Sequence, residues 1–228
     1  MSLNAIVSYD DTTNDHDALM LGRVLADAGA RLTLAYVRHT TQSERSREEL
    51  EEHEAEALLE RGARWLGDPD IQRRVVVSAS TGDGLRWLTD QEEADVVVFG
   101  SDYRTAAGHV SPQRSAQTLL DGGPAAIAIA PANYRSNNAQ QITTIGVRAA
   151  PGDDAAIDTA RDLAEAVGAR LTRDERRIDL LVVGSRSEAP EGRVMITSQA
   201  ENEIENATAP VLVVARGVPL EFGVLAGA

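Results

Sequence analysis

Short apolar runs recur along this chain, each almost unbroken, with a longer amphipathic stretch between one and the next. "NAIVSYD" (4–10), "RLTLAYV" (31–37), "RRVVVSA" (73–79), "DVVVFGS" (95–101) and "AAIAIAP" (125–131) read as strands. A strand on a half-solvated sheet alternates apolar with polar residues. Runs that are apolar at nearly every position therefore predict strands covered on both faces. Between them, 17–29, 43–66, 84–94 and 115–122 carry helical periodicity; in the first, Leu21, Val24, Leu25 and Ala28 share a face and Gly29 ends it. Strand and helix alternating in this way predict an α/β fold, a Rossmann-like parallel sheet with helices on both sides.

The polar stretch "ANYRSNNAQQ" (132–141) lacks periodicity and reads as a linker, and beyond it the pattern restarts. "GARLT" at 29–33 returns at 168–172, an offset of 139. "DVVVFGS" at 95–101 returns as "DLLVVGS" at 179–185, an offset of 84 that also carries Gly108 onto Gly192 and "AIAIAP" onto "PVLVVA". The offsets differ by 55 residues, so the second copy lacks the counterparts of the long charged helix, the third strand and the helix after it. The expected organisation is a full unit at 1–132, a linker at 133–141, an abridged unit at 142–217 and a tail at 218–228. The tail, "VPLEFGVLAGA", is apolar enough to dock on a neighbour and equally able to fray.

Charge and composition remove several functions. The 228 residues carry a net charge of -14, which repels phosphate backbones and anionic lipid, so neither nucleic acid nor a membrane is an expected partner. There is no cysteine, hence no disulfide and no thiol chemistry, and there is no lysine, since all 22 basic residues are arginine. That excludes a Walker-type lysine and any Schiff base. No stretch approaches the roughly 20 apolar residues of a membrane span, and the N-terminus lacks the features of a signal peptide. A cytoplasmic protein is expected.

The order and spacing of "IVSYDD", "GARLTLAYV", "GDGLRWLTDQEEADVVVFGS", the run from Gly100 to "PAAIAIAP", "IDLLVVGSRSEAPEGRV" and "TAPVLVVARG" resemble the universal stress protein (UspA) family in tandem form. The resemblance implies an adenine nucleotide alpha hydrolase-like sheet in each unit. It also implies that the last strands, "AAIAIAP" and "PVLVVAR", form the seam of an intramolecular pseudo-dimer, which would hide two sheet edges. One branch of the family binds ATP through Gly-x2-Gly-x9-Gly-Ser/Thr after the fourth strand, with an aspartate after the first strand meeting adenosine. Such a loop works because glycines turn backbone N–H groups toward phosphate at close range.

Laid on this chain, the motif is damaged twice. In the first unit Asp10 and Gly100 are present, but Tyr103, Gln113 and Arg114 stand at the two later glycines and the hydroxyl residue; Ser101, Gly108 and Ser115 remain nearby. Arg104 and Arg114 could hold phosphate as charged forks in place of backbone donors, or Arg114 could fill the phosphate position itself. In the second unit Gly184, Gly192 and Ser198 remain, Ser187 and Thr197 replace glycines, and Ala149 takes the aspartate's place.

Plainer readings stand beside these. "DDTTND" suits turn and capping chemistry as well as a ligand edge. The four histidines have no metal-ligand spacing, the acidic helix reads as a solvated face, and Trp65 and Trp87 read as core. No nucleophile motif appears. The expectation is a non-enzymatic stress-response protein acting through an unidentified protein partner, with a degenerate nucleotide site. The alternative is an adenine-nucleotide switch or slow ATPase in the first unit, using ATP with Mg. A further homodimer is open.

Overall fold

The computed structural model describes residues 3–39, 45–136, 141–172 and 178–223. The first half runs β1 (Asn4–Ser8), α1 (Asp15–Asp27), β2 (Arg31–His39), α2 (Arg45–Leu66), β3 (Gln72–Ser78), α3 (Thr81–Gln91), β4 (Val96–Gly100), α4 (Arg114–Leu120), β5 (Asp121–Gly123) and β6 (Ala126–Ala130). After a 3-10 turn at Tyr134–Ser136 come β7 (Thr144–Arg148), α5 (Ala155–Val167), β8 (Arg170–Thr172), β9 (Leu180–Gly184), β10 (Val194–Met195), α6 (Ser198–Glu205) and β11 (Val211–Val214). The first two residues of the expected helix at 43–66, the linker at 137–140 and the tail from 224 lie outside the described residues.

One nine-stranded sheet runs β3-β2-β1-β4-β6-β11-β9-β7-β8. Every pair in it is parallel except β6 with β11, where the two halves meet antiparallel. Ala128 pairs with Leu212 there, and these two are repeat mates at the offset of 84. A pseudo-twofold axis therefore passes through the seam at that pair. The halves form the expected pseudo-dimer of two Rossmann-like units, the second abridged.

Strand composition explains the layers. In β6 the sequence "AIAIA" turns Ala126, Ala128 and Ala130 toward one core and Ile127 and Ile129 toward the other. The alanine face lets α1 approach closely, with α2 and α5 alongside; the isoleucine face meets α4, with α3 and α6 on the same side. On α2, Ala55, Leu59, Ala63 and Leu66 are buried at helical spacing, while most of the helix's acidic side chains face out. Helix α3 starts three residues earlier than its apolar pattern indicates. Ser80 caps it by accepting from Asp83 N–H at 3.1 Å and donating to the Asp83 carboxylate at 2.7 Å.

Three features depart from the sequence reading or go beyond it. Trp65 and Trp87 are 38% and 55% exposed, so neither is core; each sits on the rim of its helix's buried face, where periodicity is a poor guide. Within the polar stretch after β6, Tyr134 is buried and Arg135 binds Asp17, which has no exposed surface. The tail is docked: Leu220 and Phe222 are buried, and their N–H groups donate to Thr159 Oγ1 and the Asp162 carboxylate of α5. Gly223 meanwhile lies against Gly29 at the end of α1, so the tail spans both halves.

Candidate functional site

Parallel sheets bind ligands beyond the carboxyl ends of their strands, at the point where the strand order reverses. In the first half that point lies between β1 and β4, and the candidate residues come from the two loops that leave them. Loop 101–113 is a folded excursion rather than an open cradle. Seven of its backbone N–H groups, those of Asp102, Arg104, Thr105, Gly108, His109, Val110 and Ser111, already donate to protein acceptors. Gly108 has φ +79 and donates to Ala132 O at 2.8 Å, so it serves a turn that pins the loop to the end of β6.

Ser101 is buried, donating to Ala130 O at 2.7 Å and accepting from Ser111 N–H at 3.1 Å. Gly100 is buried under the other loop: a Cβ there would collide with the Asn14 carbonyl oxygen. The Asn14 amide donates to Ser101 O and Asp102 O, both at 2.9 Å, and so ties the β1–α1 loop across the start of the β4–α4 loop. Arg104 is exposed and lies 4.9 Å over the Tyr103 ring. Arg114 is exposed at the first residue of α4, and Ser115 beside it is half-buried.

The second half repeats the serine and glycine bonds of this loop but not the Asn14 clamp. Ser185 donates to Val214 O at 2.7 Å and accepts from Met195 N–H; Gly192 has φ +73 and donates to Arg216 O at 2.8 Å. Each partner is the first-half partner shifted by 84. Gly184 differs, because an added Cβ there would come no closer than 3.1 Å, to Ala150 N. Ser198 is exposed at the first residue of α6, which Thr197 caps by accepting from Ala200 N–H. Strand register also moves one assignment. Ala5 pairs with Val96 and Ile145 with Leu180, so the counterpart of Asp10 is Ala150 rather than Ala149.

Asp10 is exposed, and its N–H donates to the buried Asp15 carboxylate at 3.1 Å. Burial pushes the Asp15 carboxyl up to about 8, with the neighbouring Asp10 carboxylate adding to the effect. Asp11 adopts φ 64 and accepts from Tyr9 Oη and Arg61 Nε, both at 2.7 Å; the Tyr9 hydrogen bond first and then Arg61 hold it below the usual carboxylate range. Asp10 also stands at the lip of a cleft of about 730 Å³ between the end of β2 and α2, with Val37, Arg38, Leu58 and Arg61 among its walls. Sequence reasoning identified Asp10 but missed the cleft, because the α2 residues that share it lie more than 40 positions further along the chain and meet Asp10 only in the folded protein. It also missed Asn14, whose signal as a capping-type residue gives no hint of a bond to residues 101 and 102. Among the described residues, no three His, Asp or Glu side chains converge to hold a metal ion, and no helix is long and apolar enough to cross a membrane.

Comparison with known proteins agrees with this architecture. The universal stress protein family model matches residues 107–215, from the middle of the β4–α4 loop to the end of β11. No curated protein matches the sequence. Among solved structures, a chain from Pseudomonas aeruginosa UCBPP-PA14 assigned to the universal stress proteins shares 13% identity at a TM-score of 0.63, covering 95% of this chain and 94% of its own. A universal stress protein from Archaeoglobus fulgidus DSM 4304 shares 15% identity at a TM-score of 0.60, covering 94% and 96%. A universal stress protein in complex with cAMP overlaps 43% of this chain at a TM-score of 0.37, too partial an overlap to transfer a ligand. Over residues 107–215 the chain is therefore similar to the universal stress protein family, and across nearly its whole length it shares the fold of these solved structures.

Proposed function

We propose that this protein works in the stress response as a non-enzymatic interaction module whose nucleotide loop is closed. The observation that carries the reading is the state of loop 101–113. A phosphate cradle needs N–H groups free to turn toward the anion. Here seven are committed within the protein, and Asn14 gathers two carbonyl oxygens at the loop's start. The residues present therefore do not fit the phosphates of ATP with Mg. The same loop in the second half repeats the serine and glycine bonds, which is what a structural role for Ser101, Gly108, Ser185 and Gly192 requires. Trp87 and Tyr103, 55% and 72% exposed, supply aromatic surface of the kind that anchors protein contacts.

A second reading rests on Asp10. It borders the cleft beside Arg61 and Val37, so a nucleoside could enter from the adenosine end without using the loop. Thermal unfolding across ATP, ADP and AMP titrations with magnesium separates the two. A ligand at about 100 times its Kd stabilises the native state by roughly 2.7 kcal/mol. The closed-loop reading expects no shift at millimolar nucleotide. A saturating shift abolished by Asp10→Ala would overturn it in favour of the nucleotide switch.

A further inference from the structure

Residues 10–17, from the end of β1 into α1, tie the parts of the first half together. Asp11 accepts from Arg61 of α2, the Asn14 amide reaches Ser101 O and Asp102 O, and Thr13 O and Asp17 hold Arg135. One side chain organises this segment. Asp15, the first residue of α1, is only 4% exposed. Its Oδ2 accepts from Asp10 N–H at 3.1 Å, Thr12 N–H at 3.0 Å and Thr12 Oγ1 at 2.8 Å. The same carboxyl group meets the side chain of Asp10. Two acids share a hydrogen bond only if one carries the proton, and with Oδ2 taken by donors the buried acid carries it on Oδ1. The fold does not need this acid. In the second half Ala155 is the first residue of α5 and Ala150 stands where Asp10 does, yet the strand-to-helix turn forms there.

The charged groups around Asp15 are committed to other partners. Arg61 of α2 donates to Asp11 at 2.7 Å, His16 on α1 stands 4.0 Å from Asp11, and Arg135 belongs to Asp17 and Thr13 O. From the end of β1 the Tyr9 hydroxyl donates to Asp11, and from the β4–α4 loop Asp102 accepts from Arg104 N–H at 3.0 Å. Strands β4 and β6, which pack on α1, carry no charged residue. Asp10 itself shares the cleft with Arg38, His39, Glu51, Glu54 and Arg61. Among the described residues, Asp15 thus accepts from backbone and hydroxyl donors and from no basic side chain. Those donors and the helix N-terminus favour its charged form; burial and Asp10 oppose it, and they prevail.

We propose that Asp15 is a proton-operated latch on the β1–α1 loop, holding Asp10 inward and Asn14 over Gly100 while it keeps its proton. When the proton leaves, two carboxylates stand in contact, one of them buried and without a counter-ion, and they repel. Water relieves that repulsion, and water reaches Asp15 only if residues 10–14 lift in a local opening. Lifting turns Asp10 into the cleft and withdraws the Asn14 carbonyl from Gly100, so the end of β4 is uncovered. The second half has no counterpart of the latch, and its Gly184 is uncovered already. The proposal rests on the reading that loop 101–113 is closed by its own bonds, which stay intact in both states.

Nuclear magnetic resonance of the full chain without nucleotide, from about pH 6 to about pH 9.5, tests the latch. The side-chain amide of Asn14 and the N–H of Asp10 should shift together, with one shared midpoint at about 8. Asp15→Asn keeps the acceptor for the three donors but cannot ionise, so both signals should stay fixed across that range. Asp10→Asn removes the opposing carboxylate and should lower the midpoint by about one pH unit or more. An Asn14 amide that does not move in the parent protein, movement that persists in Asp15→Asn, or an unchanged midpoint in Asp10→Asn would each overturn the proposal. Should Asp15→Asn fail to fold, the Asp10→Asn midpoint decides. The closed-loop reading is tested separately, by the nucleotide titrations of thermal unfolding at about pH 7. A shift there would sink that reading, whereas fixed signals here with no nucleotide shift would sink the latch alone.

Discussion

Asp17 is the residue on which the joint between the halves turns. It sits on α1 with no exposed surface, and its carboxylate accepts from Asn133 N–H and Arg135 N–H at 2.8 Å each and from Arg135 Nη1 at 3.0 Å. Arg135 also donates to Thr13 O at 2.9 Å. Asp17→Ala would leave two backbone donors and a guanidinium without their acceptor beneath the chain that leads into the second half. Breaking a buried pair costs about 3–5 kcal/mol, and each stranded donor about 1–3 kcal/mol, terms that overlap rather than add. The guanidinium is 27% exposed and can turn to water, which lowers the total to about 4 kcal/mol. For a chain of this length that is a fall in Tm of roughly 8–16 °C. Arg135→Ala should cost less, about 2 kcal/mol, because Asp17 keeps both backbone donors. Urea unfolding followed by circular dichroism gives both values. A loss below about 1 kcal/mol for Asp17→Ala, or an equal loss for the two variants, would falsify the view that the backbone donors hold this joint.

Two other outcomes are open to simple measurement. Gly100→Ala should destabilise by about 2–3 kcal/mol, since its methyl meets the backbone of residue 14, whereas Gly184→Ala should cost under about 1 kcal/mol; equal losses in urea unfolding would remove the Asn14 clamp as the difference between the repeats. Asp15 is protonated in the native state at pH values where the unfolded chain has already ionised it, so the native state binds the extra proton. Its contribution to stability is full below the ordinary carboxylate pKa and is lost as pH rises from about 4 through about 8. Asp15→Asn should flatten that slope in unfolding free energy against pH, and an unchanged slope would assign it to other groups.

The strands and helices of this protein were legible in the sequence because their causes are local. Runs such as "DVVVFGS" can only be buried on both faces, and the restart of the pattern after residue 141 follows from offsets that need no structure. The missed elements are those without a pattern of their own. Strands β5 and β10 are three and two residues long and exist because each repeat's loop pairs with the segment before the other's last strand: Val194 opposite Gly123, and Val110 N–H on Ala207 O. Trp87 shows the reverse error, a residue at an apolar helical position with nothing above it to cover it.

The sequence alone determined the parallel α/β architecture, the duplication, the abridged second copy and the identity of the altered loop residues, since periodicity and spacing are properties of the chain. Tertiary structure alone decided what those residues do. Whether Ser101 faces a ligand or Ala130 depends on a strand 29 residues away, and whether Gly100 is open or covered depends on Asn14, 86 residues before it. Hydrogen bonds and charges act over a few ångströms in space, and the sequence records separation along the chain.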